Sequence, residues 1–336
     1  MPQVIVDPTF RRMNEIFTPD ALARLNDLAE VIWARDDPIG EAQFLQAVAS
    51  ADAVVFGEWR HGRLGLDAAP RLRAVLEVAG GHEHPGLDYV ECLRRNIHVG
   101  SCAPAFADVV AEMALSLALA AVRGVTRADR EMRRASEHWL HDGNRGNTTL
   151  RGATIGFVGC GGISRSLHEY LRPFDVTVLG FDPPIPDEEL ERREITPTPL
   201  STIFERADVV FVLAAPTPEN RGLVSAELME LLAPTQSLII VSRAHLVDFE
   251  ALTRLVLADR FKVATDVFPA EPLPADHPIR AAESAVLVPH IAGALPTALT
   301  LIGDMVVDDL TRIFADEEPR RMQYLHPWNA EGLVQL

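Results

Sequence analysis

One stretch constrains the fold of this chain more than any other: Thr154-Ile-Gly-Phe-Val-Gly159-Cys-Gly161-Gly-Ile-Ser-Arg, followed by an acid at Asp182. An apolar strand runs into glycines that open a helix, and a second strand, Val176-Thr-Val-Leu-Gly-Phe, ends at the acid. Gly159 permits a tight turn, and Gly161 lets the backbone approach a pyrophosphate seated on the positive end of the following helix. Asp182 lies 23 residues beyond Gly159, near the spacing at which a carboxylate accepts from a ribose 2′-hydroxyl. A 2′-phosphate would be repelled there, so the pattern favours NAD over NADP. The third fingerprint position is Ser164 rather than glycine, so a hydroxymethyl must fit where the helix packs on the strand. Glycines in βα turns also serve purely structural ends; here two strands and the acid stand in register with them.

The 336 residues allow two domains of ordinary size, and 48% hydrophobic with 24% charged residues describe a soluble globular chain. A net charge of −17 repels nucleic acid and anionic membranes, so neither is an expected partner. Cys92, Cys102 and Cys160 form no paired spacing, which points to a reducing, cytoplasmic setting without a disulfide framework. Cys160, inside the glycine loop, reads as a small filler rather than a redox group. The start of the chain carries no signal-peptide pattern. The longest uncharged run between Glu112 and Arg123 is ten residues, short of a membrane span and better suited to a buried helix.

Strands are expected at Val4–Val6, Ala53–Phe56 and Ala74–Val78, with a helix from Pro19 to Ala29. A helical block of about 35 residues should run from near Pro104 to Trp139. Beyond the glycine strand come strands at Val209–Leu213, Ser237–Val241, Phe261–Thr265 and Ala285–Val288, then a helix from Ala298 to Phe314. The tail Tyr324-Leu-His-Pro-Trp328 should pack back on the first domain. Short apolar strands separated by helices imply an α/β fold of doubly wound, Rossmann-like parallel sheets. Ligands of such sheets bind beyond the carboxyl ends of the strands, so the residues there carry the chemistry.

Three ionisable residues occupy such positions: Arg243, Glu271 and His290. Each has a plain alternative, as a surface arginine, a solvated loop charge and a capping or core histidine. Together they supply what hydride transfer to a carbonyl requires. A histidine can deliver a proton near neutral pH. A carboxylate beside it orients the ring and stabilises its protonated form. A guanidinium can hold a substrate carboxylate at two points.

With these motifs in order, the chain resembles the D-isomer-specific 2-hydroxyacid dehydrogenases over nearly its whole length. The resemblance rests on Gly159-Cys-Gly-Gly-Ile163, Thr217-Pro-Glu-Asn, Ser242-Arg-Ala-His-Leu-Val-Asp248, Asp266-Val-Phe-Pro-Ala-Glu-Pro-Leu-Pro274 and Pro289-His-Ile-Ala-Gly293. It implies an NAD-dependent oxidoreductase that interconverts a small 2-oxo acid and its D-2-hydroxy acid. It assigns substrate binding to Arg243, pairing with the histidine to Glu271 and general acid/base work to His290. Gly159, Gly161, Gly162, Ile163, Asp182, Ser242, Asp266 and Gly293 become the cofactor-binding set. It also implies a discontinuous outer domain of residues 1–103 and 293–336, a cofactor domain of residues 104–292, and a homodimer formed through the long helical block. No metal is expected.

Two departures stand out. Val241 and Ala244 replace the usual residues around the arginine motif. In the first domain the family's compact Gly-x-Gly-x-Asp, whose backbone amides receive the substrate carboxylate, is stretched into Val78-Ala-Gly-Gly-His-Glu-His-Pro-Gly-Leu-Asp88. Pro85 removes one donor from it. Gly80, Gly81 and His82 are candidate substrate contacts in this loop, and Trp59-Arg60 could line the same cleft. His82-Glu-His84 lacks a third ligand for a metal. Relatives acting on formate pair glutamine with the histidine, and Glu271 argues against that activity. The alternative from another class is an NAD(H)-sensing corepressor or interaction protein on the same fold.

Overall fold

The computed structural model describes residues 1–325 except Arg63, His82, Glu83, Pro85 and Pro218. The chain divides into two compact units: Met1–Phe106 with Thr217–Glu219 and Ala294–Leu336, and Ala107–Pro216 with Asn220–Gly293. The first unit begins with β1 (Gln3–Asp7), β2 (Glu30–Ala34), β3 (Ala53–Phe56), β4 (Ala74–Glu77) and β5 (His98–Ser101). The second contains β6 (Thr154–Val158), β7 (Thr177–Phe181), β8 (Thr196–Pro197), β9 (Val209–Val212), β10 (Ser237–Ile240), β11 (Lys262–Thr265) and β12 (Val286–Leu287). A last strand, β13 (Gln323–Tyr324), returns to the first unit.

The sheet orders are β13-β5-β4-β3-β1-β2 and β12-β11-β10-β9-β6-β7-β8. Every pairing is parallel except that of β13 with β5. Both are doubly wound, and the direction of winding reverses between β1 and β3 in one sheet and between β6 and β9 in the other. Ligands of such sheets gather at that reversal.

Alternation along the strands explains why both faces are covered. In the first unit Val4, Val6, Val55 and Leu76 join one core with Leu25 and the Ile302–Leu310 face of the helix Pro296–Phe314. Ile5, Val54, Phe56 and Val75 join the other, with Phe44, Trp59 and Tyr89. In the second unit Val158, Val210, Val212, Leu238 and Ile240 pack under Ile203, Phe204, Leu252 and Leu255.

The expected helical block is two helices, Ala107–Arg123 and Val125–Arg133, because Gly124 takes φ +61° between them. Residues 135–139 are not helical. The apolar run also extends further than expected: Ala103–Arg123 is long and apolar enough, by length and composition, to cross a membrane, with mean hydropathy 1.9. Its inner residues, Val110, Ala114, Leu117, Ala118 and Ala121, are buried, and the helix packs on β10, β11 and the helix Gly162–Leu171. It covers one side of a sheet, which accounts for its composition. The tail does pack back: besides the β13 pairing, the Leu325 amide donates to Val99 O at 2.9 Å. The other tail residues, His326, Pro327 and Trp328, lie outside the described residues.

Candidate active site

The glycine loop leaves β6 at the point where the second sheet reverses. Gly159 has φ +98°, and a Cβ there would stand 2.3 Å from the Ala214 amide nitrogen, so both conformation and the approach of the chain after β9 require glycine. At Gly161 the reason differs. A Cβ would meet no protein atom within 4 Å, so the chain's own packing does not demand glycine there. The free space lies at the N-terminus of the ten-residue helix Gly162–Leu171, where unpaired backbone N–H groups favour an anion. Ser164 is 1% exposed, and its hydroxyl donates to Gly161 O at 2.9 Å, which is how the hydroxymethyl is accommodated. Ile163 is half-buried on the same turn.

Asp182 follows β7, and its carboxylate accepts from the Cys160 amide at 2.7 Å, so the acid and the glycine loop are joined. Burial raises the Asp182 pKa; the Cys160 amide and the Arg193 charge oppose the rise. Arg193 was not anticipated from the sequence. Its guanidinium donates to Cys160 O at 3.1 Å and pairs with Glu189. Burial pushes the Cys160 thiol up to about 12, so it carries no thiolate near neutral pH and serves as a filler. A loop that is open at Gly161, a helix N-terminus and a carboxylate acceptor fit the pyrophosphate and ribose of a dinucleotide.

The other candidates follow three adjacent strands: Ser242 and Arg243 after β10, Asp266 and Glu271 after β11, His290 after β12. Nδ1 of His290 lies 2.5 Å from Oε2 of Glu271. The other Glu271 oxygen accepts from the Phe268 amide at 2.9 Å, which fixes the carboxylate. Both side chains are partly open to solvent, at 42% and 35%. His290 has φ +51°. What holds that left-handed turn is Asp266: its two carboxylate oxygens accept from the Ile291 amide at 2.8 Å and the Ala292 amide at 3.0 Å. Asp266 is 1% exposed, and burial raises its pKa against those two hydrogen bonds. This strut was not foreseen. Gly293 follows directly.

Arg243 is half-buried, donates to Ser242 O at 3.0 Å, and has no carboxylate partner among the described residues. The Ser242 hydroxyl is buried with no hydrogen-bond partner among the described residues. A groove of about 1340 Å³ opens beside Arg243, with Arg221, His245, Phe249 and Phe268 in its walls; Glu271 and His290 do not line it.

The candidate substrate loop belongs to the first unit. The amides of Gly80 and Gly81 donate to Glu77, and His82 lies outside the described residues. Trp59 is 5% exposed, packed edge-on against Phe44 and Phe56. Arg60 pairs with the buried Asp7 at 3.0 Å. Both side chains therefore have structural partners within their own unit.

Residues 115–292 match the D-isomer specific 2-hydroxyacid dehydrogenase, NAD binding domain. A glyoxylate reductase of Thermofilum pendens is 32% identical over 91% of this chain and 92% of its own length. A glyoxylate reductase/hydroxypyruvate reductase of mouse is 30% identical over 82% and 84%. The solved structure of a phosphoglycerate oxidoreductase from Rhizobium etli superposes with a TM-score of 0.83 at 31% identity, covering 97% of this chain and 99% of that one. The chain belongs to the D-isomer specific 2-hydroxyacid dehydrogenase family. It is an oxidoreductase acting on CH–OH donors, built on two Rossmann-like sheets.

Proposed function

We propose that this enzyme interconverts a small 2-oxo acid, of the size of glyoxylate or hydroxypyruvate, and its D-2-hydroxy acid with NAD(H). The observation that carries the reading is the His290–Glu271 pair at 2.5 Å, on the sheet edge that also bears Arg243, which has no carboxylate partner among the described residues. When bound, the nicotinamide would supply hydride to the carbonyl carbon. His290, protonated, donates to the carbonyl oxygen through the nitrogen that does not face Glu271. Glu271 fixes ring orientation and offsets the charge of the protonated ring. Arg243 takes the substrate carboxylate and draws electron density from the carbonyl. Asp266 holds the turn that aims His290. Gly159, Gly161, Gly162 and Ile163 receive the pyrophosphate, Asp182 the adenosine ribose, and Ser242 and Gly293 the nicotinamide end.

The same reading makes residues 1–103 and 293–336 the substrate-binding part and 104–292 the cofactor-binding part. It also makes the enzyme a cytoplasmic homodimer. Val125, Met132, Trp139 and Leu140 are 56%, 53%, 68% and 85% exposed along one segment, an apolar set that suits burial against a second copy. The three free, buried cysteines suit a reducing compartment.

The test is NADH absorbance decay with glyoxylate, hydroxypyruvate, pyruvate, and branched and aromatic 2-oxo acids. Rapid oxidation with one of them is expected. Tight NADH binding with no turnover of any would favour the cofactor-sensing alternative.

Asp182 provides a separate prediction. A 2′-phosphate placed beside its carboxylate is repelled, while Arg193 stands nearby to neutralise one. Asp182→Ala is expected to shift the NADH/NADPH ratio of kcat/KM toward NADPH by about tenfold or more, one lost charge interaction of about 1.4 kcal/mol. The acidity has a sign as well. Because burial raises the Asp182 pKa, the ionised acceptor is lost sooner on acidification than an exposed carboxylate would be. NADH affinity should therefore weaken as pH falls toward that raised value, and Asp182→Asn should flatten the dependence. A fluorescence titration of NADH across pH checks both.

A further inference from the structure

Glu77 ends β4 and is 1% exposed, an acid at the close of an otherwise apolar strand. A buried carboxylate persists only when its charge is answered by donors. Here the answer comes from the chain that follows it. The backbone N–H groups of Ala79, Gly80 (2.7 Å) and Gly81 (3.0 Å) all donate to it. The Ser101 hydroxyl adds a fourth bond at 2.7 Å, and His84 Nε2 stands 3.9 Å away. The carbonyls of the same segment are held by Arg11, whose guanidinium donates to Val78 O at 2.9 Å and Ala79 O at 3.3 Å. Gly80, at φ +115°, has the Phe106 ring 3.0 Å from where a Cβ would sit. The amides and carbonyls of this turn are thus fastened by one acid and one base of the chain's own.

Three successive amides converging on two oxygens form a nest suited to an anion. Each N–H has one hydrogen, so amides that donate to Glu77 are not free for another carboxylate. The geometry points to Glu77 as a positioning and specificity residue: a resident carboxylate fills the amide nest of Ala79–Gly81 and sets the loop before substrate arrives. This rests on the reading of the chain as a 2-oxo acid reductase. It departs from the arrangement in which the loop amides receive the substrate.

The experiment uses the full chain with Glu77→Gln, which keeps shape and loses charge, and Glu77→Ala, which empties the nest. Hydrogen exchange is read first, since it needs no activity. Exchange at the 79–81 amides is expected to rise about tenfold or more in both variants, in line with loss of charge-assisted bonds. Unchanged protection there would overturn the nest. Steady-state kinetics come second, on whichever variant folds. KM for glyoxylate is expected to rise about tenfold with kcat and NADH affinity near wild type, and added formate is expected to lower it again in Glu77→Ala by occupying the vacated amides. A fall in KM on substitution, or formate competing with glyoxylate, would show that the nest belongs to the substrate and overturn the assignment. If the wild-type chain turns over no 2-oxo acid, the reductase reading fails by itself. Exchange with and without formate then still decides whether Glu77 fills the nest.

Discussion

Replacing His290 with asparagine is expected to lower kcat for 2-oxo acid reduction by about 10²–10⁴-fold and to leave the Kd for NADH near the wild-type value. Asparagine is the informative replacement because of the backbone. His290 sits at φ +51°, a left-handed conformation that asparagine adopts more readily than most residues. The Asp266 strut to the Ile291 and Ala292 amides should therefore survive, and the loss can be assigned to the missing acid/base group. Stopped-flow NADH oxidation and fluorescence titration of NADH separate the two quantities. Unchanged kcat would remove His290 from the mechanism.

Arg243→Ala is expected to lower kcat/KM by about 10²-fold. That is the loss of a charge-assisted, two-point hold worth about 3 kcal/mol. Arg243→Lys should recover only part of the deficit, since an ammonium keeps the charge without the planar fork. NADH affinity should be spared in both. The side chain makes no ion pair among the described residues, so its removal orphans no buried carboxylate and should cost little stability. A kcat/KM within about twofold of wild type for Arg243→Ala would assign the substrate carboxylate elsewhere.

How much of this is legible in the sequence depends on how sharply each element is punctuated. Ala53–Phe56 appeared at its observed bounds because four apolar residues stand between Asp52 and Gly57. β2 was missed because no glycine or proline separates it from the preceding helix; only Ala29 lies between Leu28 and Glu30. β5 was missed because His98-Val-Gly-Ser offers no apolar run, and β13 because two residues gain their strand character only from β5. Arg243, Glu271 and His290 could be picked out because a parallel sheet concentrates chemistry after its strands, and three ionisable residues stood in those places.

The supports were less visible. Asp266 reads from the sequence as a cofactor contact, and its second task shows only in the structure, where its two oxygens accept from the amides that follow His290. Glu77 is the one charged residue in the expected strand Ala74-Val-Leu-Glu-Val. The signal was present: an acid at the end of a buried strand, two residues before Ala79-Gly80-Gly81, has amides in reach that can answer its charge. Reading it required treating the acid as something that must be satisfied.

The return of β13 to the first unit has a consequence for biosynthesis. Residues 1–106 leave the ribosome first, yet their sheet is the last to be finished. The apolar face of Val4, Val6, Val55 and Leu76 is covered by the helix Pro296–Phe314, and the margin of β5 is closed by β13. Asp309, within that helix, then fastens the turn into β13 by accepting from the Arg321 and Met322 amides. The second unit is nearly continuous and has all its strands once Gly293 has emerged. A nascent chain should therefore carry a folded second unit behind a first one that still exposes a bare sheet face and an open edge, the features that attract chaperones and mispairing. In ribosome-bound chains arrested before Ala294 is exposed, protease should digest residues 1–106 while the second unit resists.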